Sequence, residues 1–193
     1  MNQEKILTDL TTQGWYYCEN YMAHNLCHNL LRDLSSLMLK PARVGKSGAE
    51  QTQKAIRNDS IYWLAPNISK AQDQYLSEMN KLMRLFNREF YLGLKQFEGH
   101  FARYEKSGFY KKHLDQFVGN QERLVSVITY LNSPAAGGEL RVYNKENAQK
   151  VDIDISPKIG SLVCFLSSQI YHEVLPTQNE RLSITGWLRT TIL

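Results

Sequence analysis

The sequence predicts an α+β fold: a double-stranded β-helix, or jelly roll, with an N-terminal helical layer packed on one sheet. Three observations point there. Up to about residue 98 the apolar residues recur at helical spacings, and beyond it they alternate. The alternating half breaks into eight short segments separated by turn residues, the pattern of a small all-β sandwich or barrel. A block of helices followed by a block of strands must bury its apolar faces as stacked layers.

Each element has its own reason. Residues 14–18 (GWYYC) read as a short strand. Residues 19–39 read as an amphipathic helix, with Met22, Leu26, Leu30 and Leu37 on one face. Residues 40–60 are polar, carry Pro, Gly and Ser, and show little period; an irregular stretch that long in a compact domain is a candidate substrate lid. The short apolar run IYWL closes it. Residues 68–97 form a strong helical pattern, with Tyr75, Met79, Leu82, Leu85 and Phe86 as its stripe and Asn67 or Ser69 as its cap. Strands follow at 100–106, 108–117, 123–132, 138–144, 150–155, 161–167, 170–176 and 181–190. Lys-Ser-Gly, Asn-Ser-Pro, Gly-Gly, Ser-Pro-Lys and Gln-Asn-Glu punctuate them.

Length and composition narrow the possibilities. The 193 residues suit one domain, 1–193, with helical support over about 1–98 and a jelly-roll core over about 99–190. A net charge of +4, evenly spread, is too small to argue for nucleic acid. No apolar run is long enough to cross a membrane, and the first residues lack the apolar core of a signal peptide. Cys18, Cys27 and Cys164 are odd in number and follow no framework spacing, so reduced thiols and a cytoplasmic location are expected.

The chemistry starts from YKKHLDQF, residues 110–117. On a strand, His113 and Asp115 project from one face. A charged Asp inside a barrel is costly unless paired or bound to a metal. By itself such a pair is more often on an outer face. His172, in QIYHEVLP, changes the weighting, and Arg181 follows at the start of RLSITGWLR. There Arg181, Ser183, Thr185 and Trp187 share a face that suits a polar cavity. Two histidines and one carboxylate form the facial triad of non-haem Fe(II) oxygenases: three ligands on one side leave three positions free. An arginine in the same cavity can grip a carboxylate through two parallel hydrogen bonds.

Other candidates read more plainly. His24, Cys27 and His28 share a helix face but lack a second ligand pair, so a solvated face is expected. His100 reads as structural, Lys111 and Lys112 as a solvated strand edge, and Tyr104, Tyr110 and Tyr130 equally as core aromatics or site residues.

The stretches RNDSIYWL, RYEKSGFYKKHLD, RLVSVITYLN, GGELRVY, DISPKIGSLVCF and YHEVLPT with RLSITGWLR carry a resemblance over residues 13–190. Together they resemble the 2-oxoglutarate- and Fe(II)-dependent dioxygenases, and among these the prolyl 4-hydroxylase-like enzymes, of the hypoxia-sensor type and its bacterial relatives. One residue is missing from the YEKSG turn. The resemblance implies that His113, Asp115 and His172 bind Fe(II). Arg181 and Tyr130 would hold the distal carboxylate of 2-oxoglutarate, with Tyr104 and Thr185 beside the cosubstrate. Leu140 and Trp187 would line the pocket. Arg57, Asp59 and Arg123 would belong to the substrate side, with Asp59 and Arg123 paired. It implies O2 as cosubstrate, L-ascorbate as a possible cofactor, and release of succinate and CO2. The expected substrate is a prolyl residue of a protein or peptide. A small molecule or free amino acid, or an inactive jelly-roll binding module, are the alternatives. Asp115 favours hydroxylation, because related halogenases carry a small residue there. No collagen-type peptide-binding segment is recognisable, so procollagen is not the expected substrate.

Overall fold

The computed structural model describes residues 3–43, 53–116 and 121–192. In chain order these form α1 (Gln3–Thr12), β1 (Trp15–Cys18), α2 (His24–Ser36), β2 (Lys40–Pro41), β3 (Ser60–Trp63), α3 (Lys70–Phe90) and β4 (Gln96–Tyr104). Then come β5 (Tyr110–His113), β6 (Arg123–Tyr130), β7 (Leu140–Tyr143), β8 (Val151–Ile155), β9 (Leu162–Leu166), β10 (His172–Val174) and β11 (Arg181–Arg189).

The strands make two antiparallel sheets. The larger runs β1-β9-β6-β11-β4-β3-β2, and the smaller runs β5-β10-β7-β8. Alternation along each strand of the larger sheet sends its side chains to two different cores. One set, including Phe97, Phe101, Val127, Cys164, Ile184 and Leu188, packs under the three helices with Leu30, Tyr75, Met79 and Phe86. The other set, Ala102, Tyr104, Ile128, Tyr130 and Phe165, meets Leu140, Val142 and Val174 of the smaller sheet. The fold is the double-stranded β-helix with a helical layer on one sheet.

The departures from expectation have local causes. Helix α1 shows no sequence period because only Ile6 and Leu10 are buried along it. The second helix covers 24–36 rather than 19–39: Asn20 adopts a positive φ of 54°, and the Met22 N–H bonds to Gly160. The third ends at Phe90 rather than 97. Tyr91 turns left-handed, and the Asn87 side chain brackets Leu94, donating to its carbonyl and accepting from its N–H. This frees Gln96 to start β4 earlier than the alternation suggested. Ser69, not Asn67, caps α3, accepting from the Gln72 N–H at 3.0 Å and donating to Asp33 of α2. Within 40–60, Lys40–Pro41 and Ser60 are paired strand residues; the predicted lid falls partly on 44–52, outside the described residues. No helix among the described residues is long and apolar enough to cross a membrane.

Candidate active site

The strand expected over 108–117 ends at His113, so Asp115 lies just past the ladder; Phe117 is outside the described residues. The Gln116 N–H bonds to the Ser167 carbonyl, and this turn carries the Asp115 carboxylate inward. His172 opens β10 and lies directly opposite His113 in the antiparallel pair. The two rings are 4.2 Å apart. Asp115 Oδ1 lies 3.4 Å from His113 Nε2 and 3.7 Å from His172 Nε2. Ligand atoms of all three lie within 4.8 Å of one another, the one such cluster among the described residues.

Hydrogen bonds set the orientation of each member. His113 Nδ1 sits 2.7 Å from the Lys111 carbonyl, and His172 Nδ1 3.1 Å from that of Ile170. Carbonyls only accept, so each Nδ1 donates, and each Nε2 is left facing Asp115. Burial, with the nearby His113, pushes the His172 pKa down to about 4, so it is a neutral, ligand-ready imidazole at neutral pH. Burial opposes the Asp115 charge, but His172, His113 and a hydrogen bond from Ser126 hold its carboxyl well below the usual range. Two imidazole nitrogens and an ionised carboxylate fit a divalent iron.

The opposite end of the cavity is built on β11. Arg181 is 1% exposed and makes no ion pair among the described residues. Its Nε donates to the Gly138 carbonyl at 2.9 Å and its Nη1 to Ser183 at 3.1 Å, while Nη2 has no partner. Its guanidinium lies 5.0 Å from the Tyr104 ring and 4.9 Å from the Tyr130 ring. The buried Tyr130 hydroxyl, beside that guanidinium, also makes no hydrogen bond of good geometry among the described residues; burial raises its pKa against the pull of Arg181, so it remains a donor. A buried cation and a buried O–H, both unmet, are expensive alone and fit one incoming carboxylate. Gly138 makes the arrangement possible: its φ is +73°, and a Cβ there would sit 2.9 Å from Arg181 Cδ.

Every predicted site residue except Tyr130 and Asp59 lines one cavity. Asp59 corrects an expectation. It pairs with Arg57, through two bonds of 2.7 and 2.6 Å, and not with Arg123. Arg123 lies 3.6 Å over the Trp187 ring and 3.3 Å from both Glu98 oxygens. The reason is lateral: Glu98 stands opposite Trp187 on β11 and Arg123 opposite Arg189, two residues further along the same strand, so Arg123 reaches Glu98 diagonally across β11.

The sequence reading left Tyr110 open between core and site, and missed or misjudged other residues here. Tyr110 stacks on the His113 ring at 3.6 Å, with the Arg57 guanidinium 4.3 Å from the tyrosine ring. Ser126 donates to Asp115 Oδ2 at 2.6 Å. Its position was legible, since it shares the inner face of β6 with Tyr130, but a strand serine carries no signal of its own. His100, read as structural, lines the cavity between Trp63 and Trp187, with ring centroids at 5.0 and 5.7 Å. His24 and His28 are exposed, as a solvated helix face requires. Lys112 is less free than expected: it lies 3.7 Å over the Tyr143 ring and bonds to the Ala148 carbonyl.

Comparison with known proteins agrees with this geometry. The sequence profile of the 2OG-Fe(II) oxygenase superfamily matches residues 99–189. A prolyl-4-hydroxylase from Pseudomonas putida is 37% identical, covers 98% of this chain over 100% of its own, and superposes with a TM-score of 0.85. A prolyl hydroxylase from Trichoplax adhaerens, solved with a peptide fragment of the hypoxia inducible factor oxygen degradation domain, is 25% identical (TM-score 0.83; 97% of this chain, 89% of that one). A viral collagen prolyl hydroxylase from Paramecium Bursaria Chlorella virus-1, at 17% identity and a TM-score of 0.68 over 94% of this chain and 98% of that one, shares the fold. Full-length identity to a prolyl-4-hydroxylase places the chain in the 2OG-Fe(II) oxygenase superfamily, as a 2-oxoglutarate-dependent dioxygenase of the prolyl hydroxylase kind.

Proposed function

We propose that this enzyme is a peptidyl-proline 4-hydroxylase acting on a protein substrate. The observation that carries the reading is the full-length similarity to the Pseudomonas prolyl-4-hydroxylase, together with a cavity lined by Trp63, Tyr110 and Trp187. Flat aromatic faces suit an apolar five-membered ring, and the Trichoplax relative is solved with a peptide fragment.

In this reading His113, Asp115 and His172 hold Fe(II), and Arg181 and Tyr130 hold the distal carboxylate of 2-oxoglutarate. The bound iron, 2-oxoglutarate and O2 supply the oxidative decarboxylation that hydroxylates a C–H bond, with L-ascorbate as an accessory reductant. The chain's own part is positional. The Nδ1 protons of His113 and His172 stay on backbone carbonyls, which fixes both rings. The Arg181 Nη2 and the Tyr130 hydroxyl place two donors on one carboxylate, so the cosubstrate enters in a single direction. Tyr104 and Thr185 flank it, and Leu140 and Ile128 keep water from that end. Arg57 locked on Asp59, and Arg123 locked on Glu98, stiffen the mouth where a polypeptide would lie.

The test is mass spectrometry of candidate proteins incubated with the enzyme, Fe(II) and 2-oxoglutarate. A gain of one oxygen on a proline, matched by succinate, is expected. Oxygen delivered to another residue, or to a small molecule only, would overturn the reading.

A further inference from the structure

We infer that Ser126 and Ser167 are positioning residues that keep Asp115 a one-oxygen metal ligand. The inference rests on His113, Asp115 and His172 being the iron ligands. Its basis is an asymmetry within the carboxylate. Oδ1 faces the Nε2 atoms of both histidines, at 3.4 and 3.7 Å. Oδ2 points away and accepts the Ser126 hydroxyl at 2.6 Å. The Ser126 oxygen lies 2.8 Å from the Ser167 hydroxyl.

Proton counting orients the chain of bonds. An ionised carboxylate can only accept, so the single Ser126 proton points at Asp115. The Ser126–Ser167 bond must then be donated by Ser167. Each donation polarises the next in one direction, away from the carboxylate charge. Both serines are 0% exposed, so water does not compete. The Ser167 carbonyl also accepts the Gln116 N–H. Backbone and side chain of the Asp115 turn are therefore held by the same serine pair, in a closed ring.

The consequence is a coordination number. Two-oxygen binding by Asp115 would require the carboxylate to turn Oδ2 toward the histidine Nε2 atoms, which pulls it out of line with the buried Ser126 hydroxyl. With Oδ2 tied back, three protein ligands leave three positions open, the number needed by a two-point cosubstrate and O2. Without the tie, a second carboxylate oxygen competes for one of them.

The test uses the full chain as metal-free protein, titrated with Mn(II) and, separately, with Co(II), whose visible spectrum reports coordination number. Ser126→Ala is expected to weaken Mn(II) binding roughly tenfold or more, the usual scale for losing an outer-shell partner, and to change the Co(II) spectrum. Ser126→Thr, which keeps the hydroxyl, should restore both. Ser167→Ala should give a smaller shift of the same sign. Asp115→Ala separates the two levels. If it too leaves Mn(II) binding unchanged, the ligand assignment fails. If it abolishes binding while Ser126→Ala and Ser167→Ala keep wild-type affinity and spectrum, the positioning role fails. Should Ser126→Ala not fold, Ser167→Ala and Ser126→Thr still decide: a wild-type Co(II) spectrum in Ser167→Ala overturns the inference.

Discussion

Arg181 is the residue whose surroundings ask most plainly for a ligand. Among the described residues its buried charge has no ion-pair partner, and one of its nitrogens and the neighbouring Tyr130 hydroxyl make no well-formed hydrogen bond. Replacing Arg181 with Met removes a charge-assisted, two-point contact worth about 2–3 kcal/mol, so the 2-oxoglutarate requirement should rise roughly 30- to 150-fold. Arg181→Lys should not restore it, because an ammonium lacks the planar fork. Tyr130→Phe should cost about 1 kcal/mol, roughly fivefold. Neither change should alter Mn(II) affinity. The check is cosubstrate titration by succinate release, alongside metal titration; a parallel loss of metal affinity would mean that Arg181 supports the metal end instead. Much of this site was legible in the sequence, because alternation puts His113 with Asp115, and Arg181 with Thr185 and Trp187. What alternation does not give is the neighbour across strands. Asp59 was matched to Arg123 although Arg57, two residues away, holds both its oxygens. Ser126 went unnoticed for the same reason: its meaning comes from Asp115, which reaches it from another sheet.

The helical layer does more at the element scale than cover the sheet. A buried bond of 3.1 Å joins Tyr75 of α3 to Thr129 of β6, and the opposite face of β6 carries Ser126, Tyr130 and Ile128, the last of which lines the cavity. Helix placement and cavity floor are thus set by the same strand. The helix itself is fixed at its start by Ser69, which caps Gln72 and also donates to Asp33 of α2. Ser69→Ala loses a cap and leaves that carboxylate without the hydroxyl, so it should destabilise the fold by about 1–2 kcal/mol. Urea unfolding should show this as a lower midpoint with an unchanged slope. An unchanged midpoint would mean the cap adds nothing once α3 is packed. Element identity was legible from periodicity, apart from the short β2 and β3, in and beside the stretch read as irregular, and α1, whose two buried residues cannot display a period. Boundaries were less so. The end of α3 depends on a left-handed Tyr91 and on Asn87 reaching Leu94, contacts that no local propensity encodes.

At the scale of the whole molecule, the inner face of the larger sheet is loaded with buried polar groups, and pH should expose this. His100 is 2% exposed between two tryptophans, and burial, reinforced by the Arg57 charge, pushes its pKa from 6.5 down to about 4. A base depressed in the folded state takes its proton first in the unfolded chain. Stability from this group is therefore full above pH 6.5, falls as the pH drops toward 4, and levels off below. The full loss for one such histidine is about 3 kcal/mol, at most about 1.4 kcal/mol per pH unit. His172 has the same sign in metal-free protein, where burial likewise lowers it to about 4. Asp115, depressed in the folded state, acts lower: its contribution stands above its ordinary value of 3.8 and so leaves this window untouched. Metal-free protein should accordingly lose stability steeply between pH 6.5 and 4.5 in urea unfolding. His100→Met should remove about half of that slope, and saturating Mn(II) at the upper end of the window should offset the part due to His172, since a metal-bound imidazole cannot take the proton. A His100→Met protein that keeps the whole slope would place the acid sensitivity elsewhere on the sheet and leave His100 as a packing residue of the cavity wall.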